Sequence, residues 1–346
     1  MLMAAYSYIP KTTSEEMRSI RYAIMDFAVF LGCTPIGIYI GGLVIHMKPI
    51  GADSLHNCIG VFLIVLGCHI LSLIWVLIAF RDSDGRSNEL NESGDTLNER
   101  EVFADQSKFT DCIPLKEIFN WSNARETLAT CFKARPENKK LQLWLLISAL
   151  YIIIMTSFGQ VDVLFQYTER VFQWNAIMFS NVNAIGSIAS NTTQAIFVVI
   201  LVKCLKVKDI RLAIIGCVSL TAQIVMRGTL LFPIGYYLSY VVGGVNGMAT
   251  IGIRSFISRL VAKEELGKVF CVMAALEATM PLTSNLIFAS LFKLVVEKNP
   301  GLEFQILAAP MFYSLIVPIV VELYFTTQNS NVEVKGEIGN ETIEIE

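Results

Sequence analysis

The order of apolar and polar positions divides this chain into eight apolar stretches and one long polar loop. A bilayer core of about 30 Å needs roughly 20 apolar residues in a helix that crosses it, so each stretch predicts a transmembrane helix. Two stretches precede the loop and six follow it. Their predicted bounds are residues 22–46, 58–80, 141–165, 175–202, 211–226, 229–253, 269–294 and 304–325.

The short fifth stretch is followed almost directly by the sixth. Arg227 and Gly228 separate the two. A glycine suits a tight turn at this point because it adopts backbone conformations that other residues avoid. The sequence therefore predicts that the fifth helix ends before Arg227.

Composition agrees with a membrane protein. Hydrophobic residues make up 54% of the chain and charged residues 16%, whereas a typical soluble domain has about 25% charged residues. We therefore predict an all-α polytopic membrane protein that lies in a lipid bilayer. No basic run with interleaved aromatic residues indicates nucleic acid as a partner.

Motifs for enzyme chemistry are missing from the sequence. The eight cysteines stand singly, without a CxxC pair, so the sequence predicts neither a metal nor another cofactor. It shows no nucleophile–base set and no phosphate-binding loop, and the protein is predicted not to be an enzyme.

Basic residues near the ends of the stretches predict the orientation. They concentrate before the first stretch, between the fourth and fifth, and between the sixth and seventh. In a chain with eight spans these segments lie on one side, which is then the cytosol. Both termini and the long loop are predicted to face it.

The uneven split predicts four parts. Residues 1–80 are interpreted as a remnant of an N-terminal half, 81–140 as a largely disordered cytosolic loop, 141–326 as a six-helix C-terminal half, and 327–346 as a disordered tail. A short helix is expected within the loop, around 118–132. Six spans after a long loop are typical of the second half of a twelve-helix transporter. The alternative is an eight-helix protein without such ancestry.

Three motifs carry a family resemblance. They are Tyr-Ile-Pro-Lys-Thr-Thr-Ser-Glu-Glu-Met-Arg-Ser-Ile-Arg at 8–21, Phe-Gly-Gln-Val-Asp-Val-Leu-Phe-Gln-Tyr at 158–167, and Ile-Arg-Ser-Phe-Ile-Ser-Arg-Leu-Val at 253–261. In this order and spacing they resemble the proton-coupled folate transporter family, solute carrier family forty-six, within the major facilitator superfamily.

That resemblance implies a major facilitator-like helix bundle that lacks the first three helices and most of the fourth. It also implies import of organic anions, such as folates, together with protons. The chain departs from the family at Pro10, Lys11 and Ser157. These departures count against proton coupling and against folate as the substrate.

Charged side chains within spans are candidate functional residues, because each costs about 2.5–3.5 kcal/mol on insertion scales. The resemblance aligns Asp26 with a glutamate that is linked to proton coupling; the alternative is a carboxylate that interacts with a helix N-terminus. It aligns Arg254 with an arginine linked to substrate and proton handling. The guanidinium would suit a carboxylate on a substrate or on Asp26, and the alternative is an ordinary anchor at the membrane surface.

Glu277 lies near the middle of the seventh stretch, where its side chain must face the bundle interior, a cavity or a partner. It is a candidate for substrate choice; the alternative is a protonated glutamate hydrogen-bonded to a neighbouring helix. Three polar residues lie at the outer end of the third stretch: Gln160, Asp162 and Tyr167. They form a candidate outer gate, and the alternative is a solvated helix end.

Two functions remain open from the sequence. The first is a secondary active transporter that takes up a small organic anion, folate-like or related, with protons as the coupling ion and alternating access as the mechanism. The second is a truncated, non-transporting membrane protein that pairs with a full-length relative as a regulator or scaffold, or an incomplete gene model. The plasma membrane and the lysosomal membrane are both candidate locations.

Overall fold

A computed structural model of the protein describes residues 17–32, 34–45, 47–48, 59–75, 121–133, 139–262, 265–295 and 299–343, together with Tyr6, Ile9 and Thr13. The regular elements in these residues are all helices, which confirms the predicted all-α fold. Their bounds are α1 Arg18–Gly32, α2 Thr34–Ile45, α3 Ile59–Trp75, α4 Trp121–Phe132, α5 Lys139–Phe172, α6 Ala176–Val199, α7 Asp209–Thr229, α8 Pro233–Val242, α9 Met248–Leu260, α10 Leu266–Val295 and α11 Leu302–Ile343.

Five helices are long and apolar enough to cross a bilayer, and each coincides with a predicted stretch. They are α5, α6 with the π-helical turn Ile200–Cys204 that continues it, α7, α10, and α11 as far as Tyr324. The prediction of a multi-pass membrane protein is thereby confirmed. Helices α2 and α3 are apolar but shorter, and part of each predicted stretch around them lies outside the described residues.

The sixth predicted span is divided into two helices. Between α8 and α9 the chain forms a 3-10 turn, Gly243–Val245. The amide of Gln223 fills the space that a Cβ on Gly243 would need, and the Gly247 N–H donates to Gln194 Oε1 at 3.1 Å. A break at membrane depth is tolerated where side chains satisfy the freed backbone groups.

The chain divides into two compact units. The first consists of Met1–Tyr39 and Thr127–Glu346, and the second is Ile40–Glu126. Within the first unit, α7 packs against both α9 and α11, α5 packs against α10 and α11, and α1 packs against α6 and α9. Fully buried apolar side chains on α5, α7 and α9, among them Leu143, Leu212 and Ile257, form part of its core.

Glycines allow α7 and α9 to approach closely. A Cβ added to Gly216 would overlap the backbone of Ala249, and one added to Gly252 would overlap the backbone of Ala213. Small residues at such contacts let backbones pack directly, which is a common basis of helix association in membranes. This contact fixes α9, and with it Arg254, relative to α7.

The predicted end of the fifth span is wrong. Helix α7 continues through Arg227 and Gly228 to Thr229, and the break lies in the next residues, before Pro233 begins α8. Gly228 serves packing rather than a turn, because its backbone lies against that of Gly301 and leaves no room for a Cβ. Arg227 is therefore in the last turn of a helix.

Two further segments bear on the predicted parts. The helix expected around residues 118–132 is present as α4, whereas most of the rest of the loop lies outside the described residues. Helix α11 continues to Ile343, although a disordered tail is predicted from residue 327.

Candidate functional site

The predicted residues Asp26, Arg254 and Glu277 lie together in one buried cluster. Arg254 Nη2 donates to both carboxylate oxygens of Glu277, at 3.0 and 3.2 Å. The guanidinium stacks over the ring of Tyr6 at 4.3 Å, and the Tyr6 hydroxyl donates to Asp26 Oδ1. Asp26 is 3% exposed and Arg254 6% exposed. We call these four residues the charge cluster.

Helical periodicity places Asp26 in this cluster. Ser19, Tyr22, Ala23 and Asp26 are all buried, and their spacing of three and four residues puts them on one face of α1. That face packs against α9, where Ser19 Oγ lies 3.0 Å from Ser255 Oγ. The carboxyl of Asp26 therefore points into the protein rather than toward lipid.

Glu277 reaches the cluster from α10. Its side chain is 17% exposed, so it is less enclosed than its partner Arg254. The residue also borders a narrow apolar cavity lined by Ile147, Leu150 and Met280. Glu277 thus lies between the guanidinium and a gap between α5 and α10.

The cluster contains one cation and two carboxyl groups. Arg254 forms its ion pair with Glu277, while Asp26 receives the Tyr6 hydroxyl and lies within electrostatic reach of the same guanidinium. The Arg254 Nε is buried and lacks a hydrogen-bond partner among the described residues. Because one guanidinium balances one carboxylate, ionising both acids leaves a net negative charge in a buried site, and such charges are costly. The arrangement favours taking up one proton.

A second polar group lies beside the charge cluster. It is at the end of the first unit where α7 begins, and we call this end the basic end. Asp209, in the first turn of α7, accepts from Ser19, from Ser255 at 2.9 Å, and from Arg259 at 2.7 Å. It thereby joins α1, α7 and α9. Asp209 was not among the predicted site residues; its place in the first turn of a helix, where negative charge is favoured, was the available signal.

The predicted gate residues lie near the other end of α7, which we call the opposite end. Gln160 Oε1 accepts from Arg227 Nη1 at 2.7 Å, and the Tyr167 hydroxyl donates to the Arg227 carbonyl at 2.8 Å. Asp162 instead accepts from Ser284 on α10 at 3.3 Å. The structure brings two of the three predicted residues together around an arginine that the sequence analysis treated as part of a turn.

Within the described ranges, no three His, Cys, Asp or Glu side chains come together as metal ligands would. The charge cluster itself offers carboxyl groups that can exchange a proton and a guanidinium that can bind a carboxylate.

Comparisons with known proteins agree with the helical fold. A sequence model of the Major Facilitator Superfamily matches residues 1–282. The chain is 22% identical over 187 residues to a protein of Drosophila melanogaster named probable peptidoglycan muropeptide transporter SLC46, an alignment that covers 53% of this chain and 36% of that protein. It is 23% identical over 317 residues to solute carrier family 46 member 2 of Mus musculus, covering 90% of this chain and 62% of the relative. The chain thus spans less than two thirds of the length of either relative.

Proposed function

Because the chain belongs to the Major Facilitator Superfamily, we propose that it carries out secondary active uptake of a small organic anion, coupled to protons. The predicted resemblance to solute carrier family forty-six is confirmed by both relatives. The charge cluster is the observation that carries the proposal. It combines a residue that takes a proton with a residue that binds an anion, and a proton–anion symporter needs both.

In this proposal Asp26 takes the proton. It is the more buried of the two carboxyl groups, and Glu277 already occupies Arg254. The Tyr6 hydroxyl donates to Asp26, so it holds the carboxyl in place next to the guanidinium. Intramembrane acids that face a bundle interior are the usual proton carriers of transporters.

Arg254 binds the anion in this proposal. A guanidinium presents a planar fork that matches a carboxylate with two parallel hydrogen bonds. Glu277 accepts from Arg254 Nη2 until a proton neutralises the cluster, and a substrate carboxylate then replaces Glu277. Proton binding therefore precedes anion binding, and this order couples the two.

Alternating access supplies the remaining step. The charge cluster lies toward the basic end, which the positive-inside rule assigns to the cytosol. The contacts of Gln160 and Tyr167 with Arg227 then hold the opposite end closed in this conformation. Opening of that end exposes the pathway from the other side of the plasma or lysosomal membrane.

The substrate class follows from the fork of Arg254. We propose an organic carboxylate, either folate-like or similar to the muropeptides for which one relative is named. The chain is purified, reconstituted into liposomes, and given an inward proton gradient, and the uptake of labelled folate and of a labelled muropeptide is measured. We expect uptake of one of them to rise with the gradient.

The variant that tests the proton step is Asp26→Asn, with Glu169→Gln as the control, because Glu169 is exposed and undergoes the same change from carboxylate to amide. We expect Asp26→Asn to abolish the gradient dependence and Glu169→Gln to keep it. Uptake by Asp26→Asn that still follows the gradient rejects the role of Asp26. Lack of uptake by the wild-type chain, together with its co-purification with a full-length relative, favours a regulatory protein instead.

A further inference from the structure

Arg227 is a buried cation whose hydrogen-bond partners are neutral. The residue is 4% exposed. Nε donates to Ser239 Oγ at 3.0 Å, and Nη1 donates to Gln160 Oε1 at 2.7 Å. In the part of the chain that the structure describes, it forms no ion pair with a carboxylate, in contrast to Arg254. A buried guanidinium normally has an acidic partner, because desolvating an unpaired charge is costly.

Aromatic rings surround this guanidinium. It lies 5.2 Å from the ring centroid of Tyr236 and 5.0 Å from that of Tyr240. Trp174 meets Tyr236 edge to face at 5.2 Å. Cation–π contacts stabilise a desolvated guanidinium, but a π face carries no net charge. The positive charge of Arg227 therefore remains unbalanced.

Asn183 adds an unused donor to the same group. The hydroxyls of Tyr236, at 2.9 Å, and of Tyr240 both donate to Asn183 Oδ1. Its Nδ2 is buried and has no acceptor among the described residues. Arg227 thus lies over the faces of both tyrosine rings, and Asn183 accepts hydrogen bonds from both tyrosine hydroxyls. Hydrogen-bond donors outnumber acceptors here, and the net charge is positive.

From this surplus we infer a second anion-binding site, in which Arg227 and Asn183 take a carboxylate group and Tyr236 and Tyr240 contact the group attached to it. A carboxylate supplies two acceptor oxygens and the missing negative charge, and its planar shape suits the guanidinium fork. The aromatic walls favour an aromatic or otherwise planar substituent. Arg227 and Asn183 are closed off in this conformation, so the ligand enters when the opposite end opens.

This site is separate from the charge cluster. Arg227 lies eighteen residues along α7 from Asp209, which corresponds to about 27 Å of helix. Asp209 bonds to Ser255, the residue next to Arg254. The two arginines therefore lie toward opposite ends of α7, a separation similar to the thickness of a bilayer core, about 30 Å. Anion binding at Arg227 is measured without a proton gradient. The result therefore does not depend on whether the proposed transport occurs.

The probe is benzoate, with benzamide as its neutral counterpart. Trp174 reports on the site because it touches Tyr236, and the other three tryptophans, Trp75, Trp121 and Trp144, are replaced by Phe. The purified full chain also carries Arg254→Lys, which weakens the first site by removing its fork. We expect a saturable change in Trp174 fluorescence with benzoate and none with benzamide.

Substitutions then assign the effect to Arg227. We expect Arg227→Met to weaken benzoate binding by at least about tenfold, the loss of one hydrogen-bonded charge. Arg170→Met, an exposed arginine at the same end, is the matched control and should bind like the parent. Because Arg227→Met removes a buried residue, Asn183→Asp is the second variant. It supplies a carboxylate within the protein and should suppress benzoate binding while keeping the fold.

Three outcomes overturn the inference. Equal benzoate binding by Arg227→Met and its parent means that the anion binds elsewhere. Equal responses to benzoate and benzamide mean that the site recognises the aromatic ring of the ligand and not its negative charge. The third outcome combines two results: a folded Asn183→Asp variant binds benzoate as the parent does, and Arg227→Met loses stability but nothing else. Arg227 then only links α5, α7 and α8.

Discussion

The sharing of one guanidinium by two acids predicts non-additive stability. Arg254 is paired with Glu277 and lies within reach of Asp26. Glu277→Gln leaves Asp26 as the remaining counter-charge, and Asp26→Asn leaves Glu277. The double variant leaves Arg254, a residue that is 6% exposed, without any acidic partner in the cluster. The second substitution should therefore cost far more than the first.

The magnitudes follow from burial. Each single variant exchanges a charged hydrogen bond for a neutral one while a second acid remains, which costs about 1 kcal/mol. An uncompensated buried charge costs about 3–5 kcal/mol, so the double variant should lose about 4 kcal/mol. The excess over the two single losses is about 2 kcal/mol, well above the additivity error of about 0.5 kcal/mol. Adding Arg254→Met to the double variant removes the unpaired charge and should recover much of the loss.

Thermal unfolding of the purified protein in detergent micelles measures this cycle. At about 2–4 °C per kcal/mol, each single variant should lower Tm by about 2–4 °C and the double variant by about 8–16 °C. Glu169→Gln, an exposed acid, serves as the control and should leave Tm unchanged. A double variant whose loss equals the sum of the single losses would show that the two acids do not share Arg254.

Three further outcomes are expected. Arg254→Lys keeps the charge but lacks the planar fork, so gradient-driven anion uptake in liposomes should fall by at least about tenfold while the protein stays folded; unchanged uptake would remove the fork from the mechanism. Gly216→Leu pushes a side chain into the backbone of Ala249 and should destabilise the bundle by about 1–3 kcal/mol in a thermal melt, whereas Gly267→Ala, with open space around it, should not. Glu303 is fully buried and both carboxyl oxygens lack partners among the described residues, so Glu303→Gln should leave Tm equal or higher; a marked loss would reveal a partner.

Membrane insertion explains why the helices were predictable. A transmembrane helix is encoded locally as a run of apolar residues. Helix α6 with its π-helical turn, and helix α10, each begin and end within a few residues of the predicted bounds. The end of α7 is the informative error. The pair Arg227–Gly228 is a turn signal by residue type, but the packing of Gly228 against Gly301 holds it in a helix. That contact joins positions more than seventy residues apart in the chain, and no local pattern records it.

The candidate site was predictable in its charges and not in its pairing. Asp26, Arg254 and Glu277 stand out because each is a charge within an apolar stretch. The direct partner of Arg254 is Glu277, on the next long helix, although the sequence pointed to a substrate or to Asp26. Tyr6 connects Asp26 to Arg254 and was missed, since an isolated tyrosine carries no sequence signal of its own.

The two buried guanidiniums differ in a way that gives transport a direction. Arg254 already has two acids beside it, so an incoming anion meets a net negative site until a proton binds and neutralises one of the acids. Arg227 has neutral partners in the described residues, so an anion meets a positive site without any proton. If both proposals hold, an anion passes from the opposite end to the basic end only when the charge cluster is protonated. The proton requirement then belongs to Arg254 and its acids, and benzoate binding at Arg227 should not share it.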